Sequence, residues 1–207
     1  MPQSSQPKPA IVFDFGGVLF DWKPFYLYAP FFNNDPEAVE RFLVEIGFTE
    51  WNAHQDKGRT FAEAVPELSA RFPQHANLIR AYDEHYEESI GGILHGTVEI
   101  MRQLKQAGYT LFGLTNWPAE KFQVVRPKYP FLAWLDDIVV SGEVRLAKPD
   151  PAIYAILLDR IGRPAGECLF IDDSQTNIAV AQQLGFNTIL FESPEQLKSE
   201  LQHRDLL

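Results

Sequence analysis

Ala10-Ile11-Val12-Phe13-Asp14-Phe15-Gly16-Gly17-Val18-Leu19 is the stretch on which the fold turns. Its apolar run, Ala10–Phe15, carries one carboxylate and stops at a Gly-Gly pair. A brief, largely uninterrupted apolar run of this kind predicts a strand buried on both faces. Similar runs follow at Tyr109–Leu114, Ile138–Val140, Cys168–Ile171 and Thr188–Phe191. Helical patterns lie between them, and that alternation predicts an α/β fold with a parallel sheet between two helical layers. The start signals are sharp. Asp150-Pro151 predicts an N-cap and first-turn proline for a helix to about Ile161. Ser193-Pro194-Glu195-Gln196 adds a capping box for the last helix. Gly108 and Gly185 stand where helices from Thr97 and Gln175 should stop.

One segment breaks the alternation. Residues 21–94 read as helices only: Asp35-Pro36 to Ile46, a Thr60-Phe61-Ala62-Glu63 capping box with Pro66 close behind, and roughly Ala76 to Glu88. An ordinary crossover needs only about 10–12 residues or slightly more. The predicted organisation is therefore an α/β core from residues 1–20 and 95–207, with a helical cap of residues 21–94 inserted after the first strand. Insertion beyond a strand's carboxyl end places the cap over the edge where ligands bind in such sheets.

Composition narrows the function. The 207 residues carry 18 Lys and Arg against 28 Asp and Glu, a net charge of −10, which argues against broad nucleic-acid binding. A small anionic ligand in a local positive pocket stays compatible with that charge. The single cysteine, Cys168, excludes an internal disulfide framework and fits a reducing compartment. Met1–Ala10 is polar, without the apolar run of a leader, and no stretch reaches the roughly 18 apolar residues of a membrane span. A cytoplasmic protein is expected, and the sequence carries no signal for an oligomeric state.

Four short sites carry chemistry. Asp14 stands at the sheet edge on a glycine turn that lets backbone approach a ligand or metal; the plainer account is a strand-ending turn. Leu114-Thr115-Asn116-Trp117 offers a hydroxyl and an amide to an anion, or alternatively a helix cap. Lys148 precedes a proline-started helix, where a cation beside a helix N-terminus favours anions, although a lone lysine is ordinarily solvated. Asp172-Asp173 pairs two carboxylates at a strand's end, which is costly without a cation; hard oxygen ligands suit Mg²⁺, and the plain alternative is one solvated Asp and one helix cap. Carboxyl ends of separate parallel strands converge on one crevice, so the four sites together predict a nucleophile, a metal site and phosphate donors.

In this order, with an insertion in the first gap, the motifs resemble the haloacid dehalogenase superfamily over nearly the whole chain. That resemblance implies a Rossmann-like core with a helical cap of the family's first type. The Asp-Phe-Gly-Gly-Val-Leu turn, Leu-Thr-Asn-Trp and Lys-Pro-Asp-Pro look most like the branch of epoxide hydrolase N-terminal phosphatases and sugar-1-phosphate phosphatases. It implies a small phosphorylated substrate, with sugar phosphates among the candidates, attacked by Asp14 through an aspartyl-phosphate. Mg²⁺ would be held by Asp14, the Gly16 carbonyl and Asp173, with Asp172 as ligand or beside it. Thr115, Asn116, Lys148 and the Gly16-Gly17 turn would bind the phosphate, and Asn177 would orient the metal carboxylates.

One position departs from the family. Its phosphatases commonly place a second Asp two residues after the nucleophile as acid and base, and here Gly16 stands there. A good leaving group, a substitute among Asp21, His54, Asp56, His85 and His95, or weak activity would each account for that. Trp51, His54, Gln55, Lys57 and Arg59, near a turn at Gly58, are candidates to read the substrate, or else a capped helix start with solvated charges. Two rival functions stay open. One is 2-haloacid dehalogenation, which needs no metal and leaves the Asp172-Asp173 pair without a role. The other is a non-catalytic module that binds a phosphorylated ligand.

Overall fold

The computed structural model describes residues 8–207. Residues 1–7, part of the stretch read as lacking a leader, lie outside the described residues. The chain opens with β1 (Ala10–Phe13) and β2 (Phe20–Trp22), then runs through α1 (Pro24–Tyr28), α2 (Pro36–Ile46), α3 (Phe48–Gln55), α4 (Phe61–Arg71) and α5 (Ala76–Glu84). It returns through β3 (Ile90–Ile93), α6 (His95–Gln106), β4 (Leu111–Thr115), α7 (Ala119–Val125), β5 (Asp137–Val140) and α8 (Ser141–Val144). The last elements are α9 (Pro151–Ile161), β6 (Cys168–Asp172), α10 (Gln175–Gln183), β7 (Asn187–Leu190) and α11 (Pro194–His203).

Five strands form a parallel sheet in the order β5-β4-β1-β6-β7. All five predicted strands are there, each within about two residues of its apolar run. The chain moves outward from β1 to one side and returns to the other, so the order reverses beside β1, where open α/β sheets bind ligands. Side chains alternate along β1. Ile11 and Phe13 join the core shared with α6, α7, α11 and the inserted helices. Ala10 and Val12 join a second core against α9 and α10.

The caps behave as their residue types dictate. Asp150 accepts from the Ala152 amide at 2.9 Å, and Pro151 opens α9. Ser193 accepts from the Gln196 amide at 3.1 Å. Thr60 and Glu63 form the reciprocal box, and Pro66 is taken into the second turn of α4. Gly108 and Gly185, with φ of 85° and 88°, turn the chain after α6 and α10.

The inserted segment differs from its all-helical expectation. Its two ends pair as an antiparallel ribbon, β2 with β3. Strands of three and four residues, one containing Gly91-Gly92, leave no alternating pattern to find. Helices α1 and α3 are also additions, and the helix from Ala76 ends at Glu84 before a 3₁₀ turn over Tyr86–Ser89. The α3 sequence lacks an apolar stripe. It forms because Gly47, at φ 67°, ends α2 and starts α3 in one residue. Inside the segment, Tyr28, Phe42, Phe48, Trp51, Phe61 and Tyr82 pack as one buried aromatic cluster.

Candidate active site

The carboxyl ends of β1, β4 and β6, with the loop after α8, deliver the motif residues to one place. Lys148 Nζ lies 2.7 Å from Asp14 Oδ1 and 2.7 Å from Asp172 Oδ2, and its side chain is 1% exposed. Burial pulls the lysine down, but the two carboxylates more than reverse it and hold it above its ordinary range. Asp14 Oδ1 also accepts from the Phe15 amide at 2.6 Å. Burial pushes Asp14 well up, Lys148 opposes and Asp172 adds to the rise. No donor among the described residues reaches Asp14 Oδ2.

The adjacent carboxylates divide their work because successive side chains at a strand's end point opposite ways. Asp172 is fully buried. It accepts from Lys148, from the Ser174 amide at 2.8 Å and from Asn177 Nδ2 at 3.0 and 3.1 Å. Asp173 is exposed. Partial desolvation of its carboxyl where it meets the site, then the neighbouring Asp172, raises it all the same. One carboxylate oxygen from each of Asp14, Asp172 and Asp173 falls within 4.8 Å of the others. Three carboxylates against one ammonium is a charge imbalance that a divalent cation would relieve, and an all-oxygen donor set suits Mg²⁺. The residues fit the expected metal.

Gly17 holds Asp173 in place by being small. Its φ is +76°, and a Cβ there would stand 2.1 Å from Asp173 Oδ2. Thr115 ends β4 and is 1% exposed. The Asn116 side chain clamps the backbone of Lys148, donating to its carbonyl and accepting from its amide, both at 2.9 Å.

Above these groups is a cavity of about 180 Å³, lined by Gly16, Trp22, Asn52, Asp56, Tyr86, Asn116 and Trp117. Trp117 packs edge-on against Phe20 at 5.5 Å and is tilted against Tyr86 at 6.2 Å. Its indole N–H is buried without a partner among the described residues. Of the inserted segment's predicted readers, none lines this cavity. Trp51 and Gln55 are buried, His54 and Lys57 are exposed, and Arg59 pairs with Glu67. Asn52 and Asp56, four residues apart on a different face of α3 and its end, line it instead. Among the five candidate proton carriers only Asp56 does so. Asp21 pairs with Lys23 at 3.1 Å, His85 lies 3.5 Å from Glu88, and His54 and His95 are exposed. Asn52 and Tyr86 carry no signal in the sequence, because no local pattern links them to the four motifs, and Trp22 stands out there only as one of several aromatics that could supply a binding surface.

No helix among the described residues is long and apolar enough to cross a membrane. The chain is 27% identical over 184 residues to a sesquiterpene phosphatase of Aspergillus oryzae, covering 85% of this chain and 86% of that one. It is 28% identical over 156 residues to (S)-2-haloacid dehalogenase 4A of Burkholderia cepacia, covering 70% and 64%. Other curated relatives are longer, and the chain spans 35% of one and 30% of another. A crystal structure of a HAD-family enzyme from Bacteroides thetaiotaomicron, complexed with magnesium and inorganic phosphate, superposes with a TM-score of 0.70. It covers 90% of this chain and 95% of that one at 23% identity, a likeness of fold. The profile of the haloacid dehalogenase-like hydrolases matches residues 8–185. From the motif order, the parallel sheet and this match together, the chain belongs to the haloacid dehalogenase-like hydrolase family.

Proposed function

We propose that this chain is a Mg²⁺-dependent phosphomonoester hydrolase that acts through an aspartyl-phosphate on a small phosphorylated metabolite. The observation that carries the reading is the buried Asp14–Lys148–Asp172 group with Asp173 beside it. Residues 21–94 act as a cap that closes the cavity over this group. Asp14 Oδ2 is the nucleophile. Lys148 holds Asp14 in position by one ion pair and offers its remaining positive charge to phosphate oxygens. Thr115 and the Gly16-Gly17 turn complete the phosphate site, and Asn116 fixes Lys148 by its backbone. Asp14, Asp173 and the Gly16 carbonyl would hold Mg²⁺, with Asp172 and Asn177 ordering that cluster. When bound, the ion offsets repulsion between the anionic nucleophile and the anionic phosphate.

The test is phosphate release from a panel of phosphomonoesters at neutral pH, in Mg²⁺ and in EDTA. Turnover in Mg²⁺ that disappears in EDTA is expected. Halide release from 2-chloropropionate in EDTA, with no phosphate released from any ester, would replace this reading with dehalogenation.

Gly17→Ala probes the metal side separately. The new methyl must displace the Asp173 carboxylate and hold a left-handed φ. The concentration of Mg²⁺ for half-maximal activity is expected to rise about 10–100-fold, the usual cost of disturbing what orients a metal ligand. An unchanged Mg²⁺ titration would remove Asp173 from the metal site.

A further inference from the structure

Asp56 lies just past α3, and the structure gives it a setting that no neighbouring carboxylate shares. Among the described residues it is the one carboxylate on the wall of the 180 Å³ cavity, and no Lys, Arg or His of them lines that cavity. Its carboxyl accepts a single hydrogen bond among the described residues, from Asn52 Nδ2 at 3.2 Å. Asn52 is itself held by the Tyr82 hydroxyl at 3.0 Å. The position at the carboxyl end of α3 faces the negative end of the helix, which disfavours an ionised carboxylate. Burial pushes Asp56 up to about 7.

The turn that carries Asp56 is fixed against the core. Gly58, at φ +86°, brings that turn so close that a Cβ would stand 2.8 Å from the Gly142 carbonyl. Gly16, on the loop that follows the nucleophile, lines the same cavity as Asp56, and a Cβ there would meet nothing within 4 Å. Asp56, Asn52 and Trp22 also line an outer groove of about 650 Å³, through which the carboxyl can exchange protons with water.

We infer that Asp56 carries the proton between leaving group and water in this site. The inference rests on the phosphatase reading above. In the first step Asp14 Oδ2 bonds to phosphorus, the ester P–O bond breaks, and the Asp56 carboxylic proton passes to the departing oxygen to give an alcohol. In the second, water attacks the phosphorus of the aspartyl-phosphate and gives its proton to the Asp56 carboxylate. The P–O bond to Asp14 then breaks, releasing inorganic phosphate and restoring both aspartates.

The experiment compares wild type with Asp56→Asn in Mg²⁺ on alkyl phosphates and on p-nitrophenyl phosphate, whose phenolate leaves without a proton. For alkyl phosphates kcat/KM is expected to fall about 10²–10⁴-fold, the usual contribution of proton transfer. For p-nitrophenyl phosphate kcat/KM stays within a few-fold, because that ratio reports only the first step. Its kcat falls, and a burst of nitrophenolate precedes the steady state as the aspartyl-phosphate accumulates. Thermal melting checks that the variant is folded. Equal losses in kcat/KM for both substrate types, or no loss for alkyl phosphates, would overturn the role of Asp56. A wild type that hydrolyses neither would overturn the phosphatase reading beneath it.

Discussion

Asp14→Asn is expected to lower phosphate release by roughly 10⁴–10⁶-fold while leaving the protein folded, because loss of a nucleophile removes the whole covalent route. The substitution is close to isosteric and keeps van der Waals contact with Lys148. It also leaves Lys148 with Asp172 as a neutral pair at 2.7 Å. The sign of the stability change follows from Asp14 itself. Its carboxyl is held well above the usual range by burial. A carboxylate raised in this way binds its proton more tightly in the folded state, so ionisation costs stability above the unfolded value. The melting temperature of Asp14→Asn at pH 8 should therefore equal or exceed that of the wild type. Residual activity within tenfold of wild type, measured on the same ester in Mg²⁺, would exclude Asp14 as the nucleophile.

Lys148→Met should cost both activity and stability, and the stability loss is the sharper test of the ion group. The lysine side chain is 1% exposed and is the only cation within ion-pair distance of Asp14 and Asp172 among the described residues. Removing one partner from a buried pair costs about 3–5 kcal/mol, because the remaining charge is left without compensation. At about 2–4 °C per kcal/mol for a chain of this size, the melting temperature should fall by roughly 6–20 °C at pH 8. The loss should shrink towards pH 5. Burial already raises Asp14, and Lys148 is what opposes that rise, so without the ammonium the folded state is favoured at low pH and loses ground as pH rises. In the wild type Lys148 is raised above its ordinary value, so its contribution is constant below about pH 10 and does not mimic this trend. Mg²⁺ should restore part of the loss. A drop smaller than about 2 °C at pH 8 would exclude the Lys148 ion group as a substantial source of stability.

Much of this site can be read directly from the residues. Asp14, Thr115 and Asp172 sit at strand ends that apolar runs mark plainly, and Asp150-Pro151 announces the helix that follows Lys148. Other parts follow no local rule. The β2–β3 ribbon is too short, and its Gly91-Gly92 too weakly strand-forming, to leave a pattern. Helix α3 has no apolar stripe and owes its start to the left-handed Gly47. Trp51 and Asp56 lie five residues apart near one turn, yet one is core and the other lines the cavity. The helical period decides between them, and it is readable only once α3 is known to exist.

Residue order alone dictates the parallel sheet and the gathering of Asp14, Thr115, Lys148 and the Asp172-Asp173 pair at one edge. Strand burial and chain direction are local properties, and parallel topology then leaves those ends nowhere else to go. Tertiary structure alone decided how the gathered groups divide their work. Asp172 takes Lys148 and Asn177 while Asp173 rests on Gly17, Asn116 clamps the Lys148 backbone, and Asp56 lines the cavity with no cation beside it. Most of those facts depend on contacts between segments far apart in the chain, such as Asn116 with Lys148, Lys148 with Asp172 and Gly17 with Asp173, which no local pattern specifies.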